Sequence, residues 1–374
     1  MDRSFPAVTP PFSTVESAIP DISIIIPARN EQANIGDCLQ SLTTQGGVKF
    51  EIIVVDDGST DRTREIAESY TGVRVISTPA PPQGWTGKNN AVIAGAKVAN
   101  AGWLLFTDAD TVHLPGSLER AVAEARNERA DLLSYSPQQV VVTFAERTVM
   151  PVIFAELAAQ YPPERVRDPS SGIVAANGQY ILVNREPYEA VGGHAAVATE
   201  ILEDVALALL FRNAGKSVYF RYGGDAVRTR MYRTWAQLRE GWTKNLALLF
   251  PNTGRLALQS LFAWVVAWSA LILAMAGAFG RHYAWIIFAC LWLLLFRRIR
   301  TANFSAANNL IATAFGPPIF AYLLHRSKRA HANGQVPWKG RVYGLGIQTE
   351  ITPSRLPVTK PVLRGESKRL KAEG

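Results

Sequence analysis

Asp108-Ala109-Asp110 places two carboxylates one residue apart, just after a short apolar run, 103–107. Hard divalent cations such as Mg²⁺ or Mn²⁺ take oxygen ligands and complete their shell with substrate phosphates and water. One or two carboxylates beside a diphosphate suit such an ion, although the same residues also fit a capped turn. Asp56-Asp57-Gly58-Ser59-Thr60-Asp61 closes another apolar run. Ser59 or Asp61 there reads as a helix cap. Asp57 repels its neighbour Asp56 unless a donor or cation is near, and a base or ribose would meet that need. Glu203-Asp204 opens a run of helical spacing, where the helix dipole stabilises a carboxylate. Alternatively, Asp204 takes a proton from a hydroxyl as a general base. Arg230-Met231-Tyr232-Arg233-Thr234-Trp235 gathers two guanidinium groups and an indole, suited to phosphate oxygens or to a membrane interface. Lys88, in Gly84-Trp85-Thr86-Gly87-Lys88, lies at a predicted helix start where a phosphate would sit. The P-loop spacing is absent.

These residues need a scaffold that brings distant segments together. The runs 22–27, 51–56 and 103–107 read as buried strands and 73–77 as a short strand. Helical patterns at 34–44, 61–70 and 87–100 alternate with them, which calls for a mostly parallel sheet covered by helices. In such sheets ligands bind beyond the carboxyl ends of the strands, where Glu31, Asp57, Asp108 and Asp110 fall. The pattern becomes mixed between 131 and 230, and 238–249 reads as an amphipathic helix.

In their order along the chain, SIIIPARNE (23–31), EIIVVDDGSTD (51–61), GWTGKNNA (84–91), LLFTDAD (104–110), LEDVALA (202–208) and RMYRTW (230–235) resemble the family 2 glycosyltransferases. That resemblance implies the GT-A fold, a Rossmann-like α/β domain, and hexosyl transfer from a nucleotide-sugar, commonly a UDP-sugar. It implies that Pro27, Ala28, Glu31 and Asp57 contact the nucleotide and that Lys88 and Asp108 lie near the sugar diphosphate. Asp110 would hold Mg²⁺ or Mn²⁺, Asp204 would be the base, and Arg230, Arg233 and Trp235 would form the diphosphate-binding signature. That signature is usually QxxRW; here Arg230 replaces the Gln, and Thr234 separates Arg233 from Trp235. GQYILVNREPYEAVGGH (178–194) and WKGR (338–341) are similar to the bacterial subgroup associated with hopanoid and carotenoid glycosylation, which implies an isoprenoid-type lipid acceptor. A polyprenyl-phosphate sugar synthase and a nucleotidyltransferase are the rival readings.

Of the 374 residues 48% are hydrophobic and 19% charged, and the apolar ones concentrate late in the chain. The runs 257–280, 282–296 and 301–324 contain no Asp, Glu, Lys or Arg. Two are expected to cross a membrane, and the third to form a re-entrant hairpin bent at Gly316-Pro317-Pro318. From Arg326 onward there are 11 Lys+Arg and 3 Asp+Glu, leaving 28 of each sign in 1–325 out of 39 and 31. All of the +8 net charge is therefore in the tail, which favours anionic lipid and a cytoplasmic face over nucleic acid. The N-terminus lacks the apolar core of a signal peptide, and Cys38 and Cys290 form no metal-type spacing. The expected organisation is a flexible 1–20, a catalytic domain at 21–250, a membrane region at 256–325 and a basic cytoplasmic tail at 326–374. The expected location is a bacterial-type inner membrane with several spans.

Overall fold

The computed structural model describes residues 19–277, 281–338 and 341–343. The expected flexible segment before residue 19 and most of the basic tail lie outside these. Strands in chain order are β1 (Ile22–Ala28), β2 (Phe50–Asp56), β3 (Val73–Ser77), β4 (Trp103–Phe106), β5 (Thr111–His113), β6 (Leu132–Ser136), β7 (Gln138–Gln139), β8 (Ile181–Asn184), β9 (Val218–Tyr222), β10 (Val227–Thr229), β11 (Val336–Trp338) and β12 (Arg341–Tyr343). The helices are α1 (Ile35–Thr43), α2 (Thr63–Glu68), α3 (Gly87–Val98), α4 (Ser117–Asn127), α5 (Phe144–Gln160), α6 (Pro163–Arg167), α7 (Arg185–Ala190), α8 (Glu203–Asn213), α9 (Trp235–Leu249), α10 (Thr253–Met275), α11 (Arg281–Ile299) and α12 (Ala306–Ala332).

Seven strands form the main sheet in the order β3-β2-β1-β4-β8-β6-β9. Neighbours are parallel except at β8, which runs antiparallel to both β4 and β6. A second sheet, β5-β10-β7, stands beside it. Successive side chains of a strand point to opposite faces, and β1 feeds two cores. Ile22, Ile24 and Ile26 pack with α1 and α4, whereas Ile25 joins Ile53, Val55 and Val92 beneath α3. Gly95 lets α3 lie close on that face: a Cβ there would meet Ile25 Cγ2 at 2.5 Å. Register pairs Ala28 with Asp56, so the first two acidic rim segments leave the sheet side by side.

The helices α10 and α11 are long and apolar enough to cross a membrane. At 1.5 Å per residue, the 23 residues of α10 span about 34 Å. Their apolar side chains face outward: Leu258 is 69% exposed, Phe262 68% and Met275 72%.

The third apolar run departs from expectation. Instead of a hairpin bent at Gly316-Pro317-Pro318, α12 is one continuous 27-residue helix that carries both prolines. It packs along α5, α9 and α10. Pro318 has no N–H for the carbonyl four residues back, a loss that ordinarily kinks or breaks a helix. Here the Trp264 indole N–H of α10 donates to that carbonyl, Ala314 O, at 2.7 Å. Gly316 meanwhile lets α5 approach, since a Cβ there would meet the Thr148 carbonyl oxygen at 2.6 Å. The boundary expected at residue 326 falls inside this helix, and Arg326 reaches Thr243 of α9 at 3.1 Å.

Trp264→Phe should therefore strip a part-buried carbonyl of its donor and destabilise the helical bundle by about 1–3 kcal/mol. Thermal unfolding of the detergent-solubilised protein reads this as a lower Tm; an unchanged Tm would show that the indole does not compensate for the proline.

Candidate active site

The carboxyl ends of β1, β2 and β4 open into a cavity of about 580 Å³. Pro27, Ala28, Glu31, Asp57, Lys88, Asp108, Asp110, Asp204 and Arg233 all line it. Nine of the eleven residues expected from the sequence thus converge, although they come from segments up to 206 positions apart. Asp57 is buried, and its backbone is locked on both sides: its N–H donates to Ala28 O at 2.9 Å, and Arg29 Nη1 donates to its carbonyl at 2.6 Å. Asp56 caps the turn instead, accepting from Ser59 N at 3.1 Å. Asp61 is structural, accepting from the backbone of Thr63 at 3.0 Å and of Gln32 at 3.1 Å.

Lys88 is the electrostatic centre. Thr86 caps α3 by accepting from Asn89 N at 3.1 Å, which sets Lys88 in the first turn facing the rim. Its ammonium lies 2.8 Å from Asp108 Oδ1 and 2.8 Å from Glu203 Oε1. Burial alone would lower its pKa, but these two carboxylates hold it well above the ordinary lysine value. Glu203 opens α8; burial pushes its pKa up, and the Lys88 charge outweighs that, so it stays below the usual range. Asp204 has no such partner. Its oxygens accept from the backbone N–H groups of Gly178 and Val205, each at 2.8 Å, while burial and then the Glu203 charge push its pKa up to about 6. A Cβ on Gly178 would lie 2.9 Å from Lys88 Nζ and 3.2 Å from Glu203 Oε1, so only glycine leaves this cluster its space.

Arg233 closes the rim. It donates to Asn34 Oδ1 through Nε at 2.9 Å and to the Ala33 carbonyl at 3.0 Å, and Asn34 in turn donates to Glu31 at 2.8 Å. The inserted Thr234 is the N-cap of α9, in a capping box with Gln237.

Two expected contacts do not reach the cavity. Arg230 forms a fork onto Glu146, 3.1 and 3.2 Å to its two oxygens, and Glu146 is itself buried in the capping box of α5. The guanidinium is consumed in holding the start of α5. Trp235 begins α9 and is 39% exposed, outside the lining. Conversely, the motifs did not point to Glu203 as a partner of Lys88, to Lys244 and Trp242 of α9, to Trp338 of β11, or to the wall of Phe154 and Leu157 from α5 with Tyr161 at its end. Of these, Glu203 lay in the LEDVALA stretch and Trp338 in WKGR.

Among the described residues, no group of three or more His, Cys, Asp or Glu side chains gathers as a metal cluster. Asp110 lines the cavity, and Asp108 is already paired with Lys88. That donor set fits a hard cation that takes one or two carboxylates and draws its remaining ligands from a bound diphosphate and water.

The mostly parallel α/β sheet with an acidic rim at its carboxyl edge is of the fold class expected from the sequence. Residues 23–192 match the family model described as Glycosyl transferase family 2. The chain therefore carries a glycosyltransferase family 2 domain and is a glycosyltransferase. It is 29% identical over 342 residues to 4,4'-diaponeurosporenoate glycosyltransferase of Staphylococcus aureus (strain USA300), covering 87% of this chain and 88% of that one. Among solved structures it is similar to the mannosyltransferase PcManGT of Pyrobaculum calidifontis in complex with GDP-Man and Mn²⁺, at 17% identity and a TM-score of 0.47, covering 84% and 87% of the two chains. It is also similar to residues 1–349 of S. aureus TarS in complex with UDP-GlcNAc, at 14% identity and a TM-score of 0.42, covering 86% and 95%.

Because the folded pKa of Asp204 is raised above its ordinary value of 3.8, its ionisation opposes folding. Its contribution is fully present below pH 3.8 and is lost as pH rises through about 6. The difference amounts to at most about 3 kcal/mol. Asp204→Asn does not titrate, so its Tm relative to the parent should improve steadily from pH 4 to pH 7. Parallel Tm profiles would show that the carboxyl is not desolvated.

Proposed function

We propose that the protein transfers a sugar from a nucleotide-diphosphate sugar, a UDP-sugar in the first instance, to a membrane lipid acceptor of isoprenoid type, with inversion at the anomeric carbon. The observation that carries this reading is the meeting of Asp57, Asp110, Asp204 and Arg233 around one cavity of nucleotide-sugar size. Asp57 sits where the end of β2 would receive the nucleoside, and Glu31 lies beside it at the end of β1. Asp204, aimed by two backbone N–H groups, takes the proton of the acceptor hydroxyl. Its pKa of about 6 leaves it largely ionised at pH 7, near the optimum for a base working there. Lys88 is the shared counter-ion of Asp108 and Glu203, so Asp204 is the carboxylate of the three that has no ammonium in direct contact. Arg233, at the rim, steadies the departing diphosphate. Mg²⁺ or Mn²⁺ bound at Asp110 would neutralise charge on that diphosphate.

The acceptor class follows from the surroundings. The cavity has an apolar wall of Phe154, Leu157 and Met231, and the domain continues directly into α10 and α11 with their outward apolar faces. The named acceptor of the S. aureus relative supports the same class. The reading places α10 and α11 in a bacterial-type inner membrane and the catalytic domain on its cytoplasmic side.

Membranes carrying the protein, incubated with a panel of labelled UDP- and GDP-sugars, should yield a labelled, solvent-extractable lipid. Asp204→Asn should lower turnover by about 10²–10⁴ while leaving nucleotide-sugar affinity nearly intact by calorimetry. In the parent, kcat/KM should fall as pH drops through about 6, because protonating Asp204 removes the base. EDTA should abolish transfer, and Mg²⁺ or Mn²⁺ should restore it. A variant that loses donor binding would make Asp204 a structural residue instead.

A further inference from the structure

Sequence reasoning assigned two guanidinium groups to the leaving diphosphate, and the fold diverts one of them. Arg230 is bound to Glu146 outside the cavity. A different cation enters the cavity in its place: Lys244, which projects from α9 downstream of the Arg233 segment. Its ammonium lies over the indole of Trp338, 4.8 Å from the ring centroid. Trp338 comes from the short β11–β12 hairpin, and β11 packs against α9.

The two cavity lysines differ in compensation. Lys88 has a carboxylate at 2.8 Å on each of two sides. Among the described residues, Lys244 forms an ion pair with none. Glu203, Asp204 and Asp108 act on it only at longer range, Lys88 opposes it, and burial pushes its pKa down. An indole face attracts a desolvated cation but does not neutralise it, so much of its charge is left for a ligand. In this cavity, the ligand that arrives as an anion and gains charge during the reaction is the donor diphosphate.

We propose that Lys244, positioned by Trp338, contacts the donor diphosphate and stabilises it as it leaves. The assignment rests on the nucleotide-sugar reading above. In the step concerned, the acceptor oxygen forms a bond to the anomeric carbon and its proton passes to Asp204. The bond from that carbon to the diphosphate oxygen breaks, and its electron pair stays with the diphosphate. Lys244 remains protonated throughout and supplies charge alone. The site thus has two cations on neighbouring stretches, Arg233 just before α9 and Lys244 within it, both acting on one leaving group.

The test uses the full-length, detergent-solubilised protein and the UDP- or GDP-sugar that it turns over. Two rates are compared: transfer to extracted membrane lipid, and slow hydrolysis of the donor without acceptor. Lys244→Met should lower both by the same factor, about 10²–10³, and weaken binding of the free nucleoside diphosphate. Lys244→Arg should recover part of both rates. Trp338→Phe, which keeps an aromatic face, should stay near the parent, whereas Trp338→Leu should lose about tenfold in both. The Trp338 pair carries the test should Lys244→Met fail to fold, as judged by its Tm. Loss of transfer with hydrolysis unchanged would assign Lys244 to the acceptor and overturn the proposal, as would two unchanged rates. Failure of the donor reading itself looks different: the parent then neither binds nor hydrolyses any nucleotide sugar, and the Lys244 assignment falls with it.

Discussion

One ammonium group organises the catalytic cavity. Lys88 lies equally close to Asp108 from β4 and Glu203 from α8, so it joins the two halves of the mixed sheet across the mouth of the cavity. Without it, Asp108, Glu203 and Asp204 would crowd three carboxylates into a desolvated space, where like charges suppress each other's ionisation. With it, Asp108 and Glu203 share one counter-ion, and Asp204, outside that contact, keeps a raised pKa. Adjacent residues with the same chemistry, Glu203 and Asp204, thereby receive opposite electrostatic characters, one ion-paired with its pKa lowered and the other with its pKa raised. Gly178 is part of the same arrangement, because any side chain there would push into the ammonium.

The rest of the cavity depends on contacts between remote segments. Arg233 reaches Asn34 across 199 residues, so the stretch entering α9 is pinned to the loop entering α1. The α9 helix is in turn braced by α12, where Ser327 and Arg326 bond to Thr243 and His331 meets the Lys244 carbonyl. Through α12 and the Trp264–Ala314 bond, this bracing extends to α10. The apolar C-terminal region is thus packed against the same helix that carries Lys244, and it forms part of the wall of the catalytic domain.

Much of this was legible in the linear chain. Buried β-branched runs alternating with helical spacing imply a parallel sheet, and the carboxyl-edge rule then selects Glu31, Asp57, Asp108 and Asp110 without further information. Less legible was any residue whose role depends on its partner. Arg230 and Arg233 have the same chemistry and lie three positions apart; one meets a buried carboxylate of α5 and the other a half-buried asparagine just before α1. The Gly316-Pro317-Pro318 break was a sound local expectation; α12 continues through it, with a tryptophan on another helix donating to the carbonyl that Pro318 leaves without its usual partner.

Local pattern alone determined the first four strands, the helices between them, the acidic rim and the long apolar helices, because each follows from backbone preference and burial within a short window. Tertiary structure decided which charges are spent and which remain available. It paired Lys88 with Glu203, tied up Arg230, brought Lys244 beneath Trp338 and left Asp204 unneutralised. Electrostatic balance in a buried cavity is a property of distances between segments far apart in the chain, and no short window of sequence contains those distances.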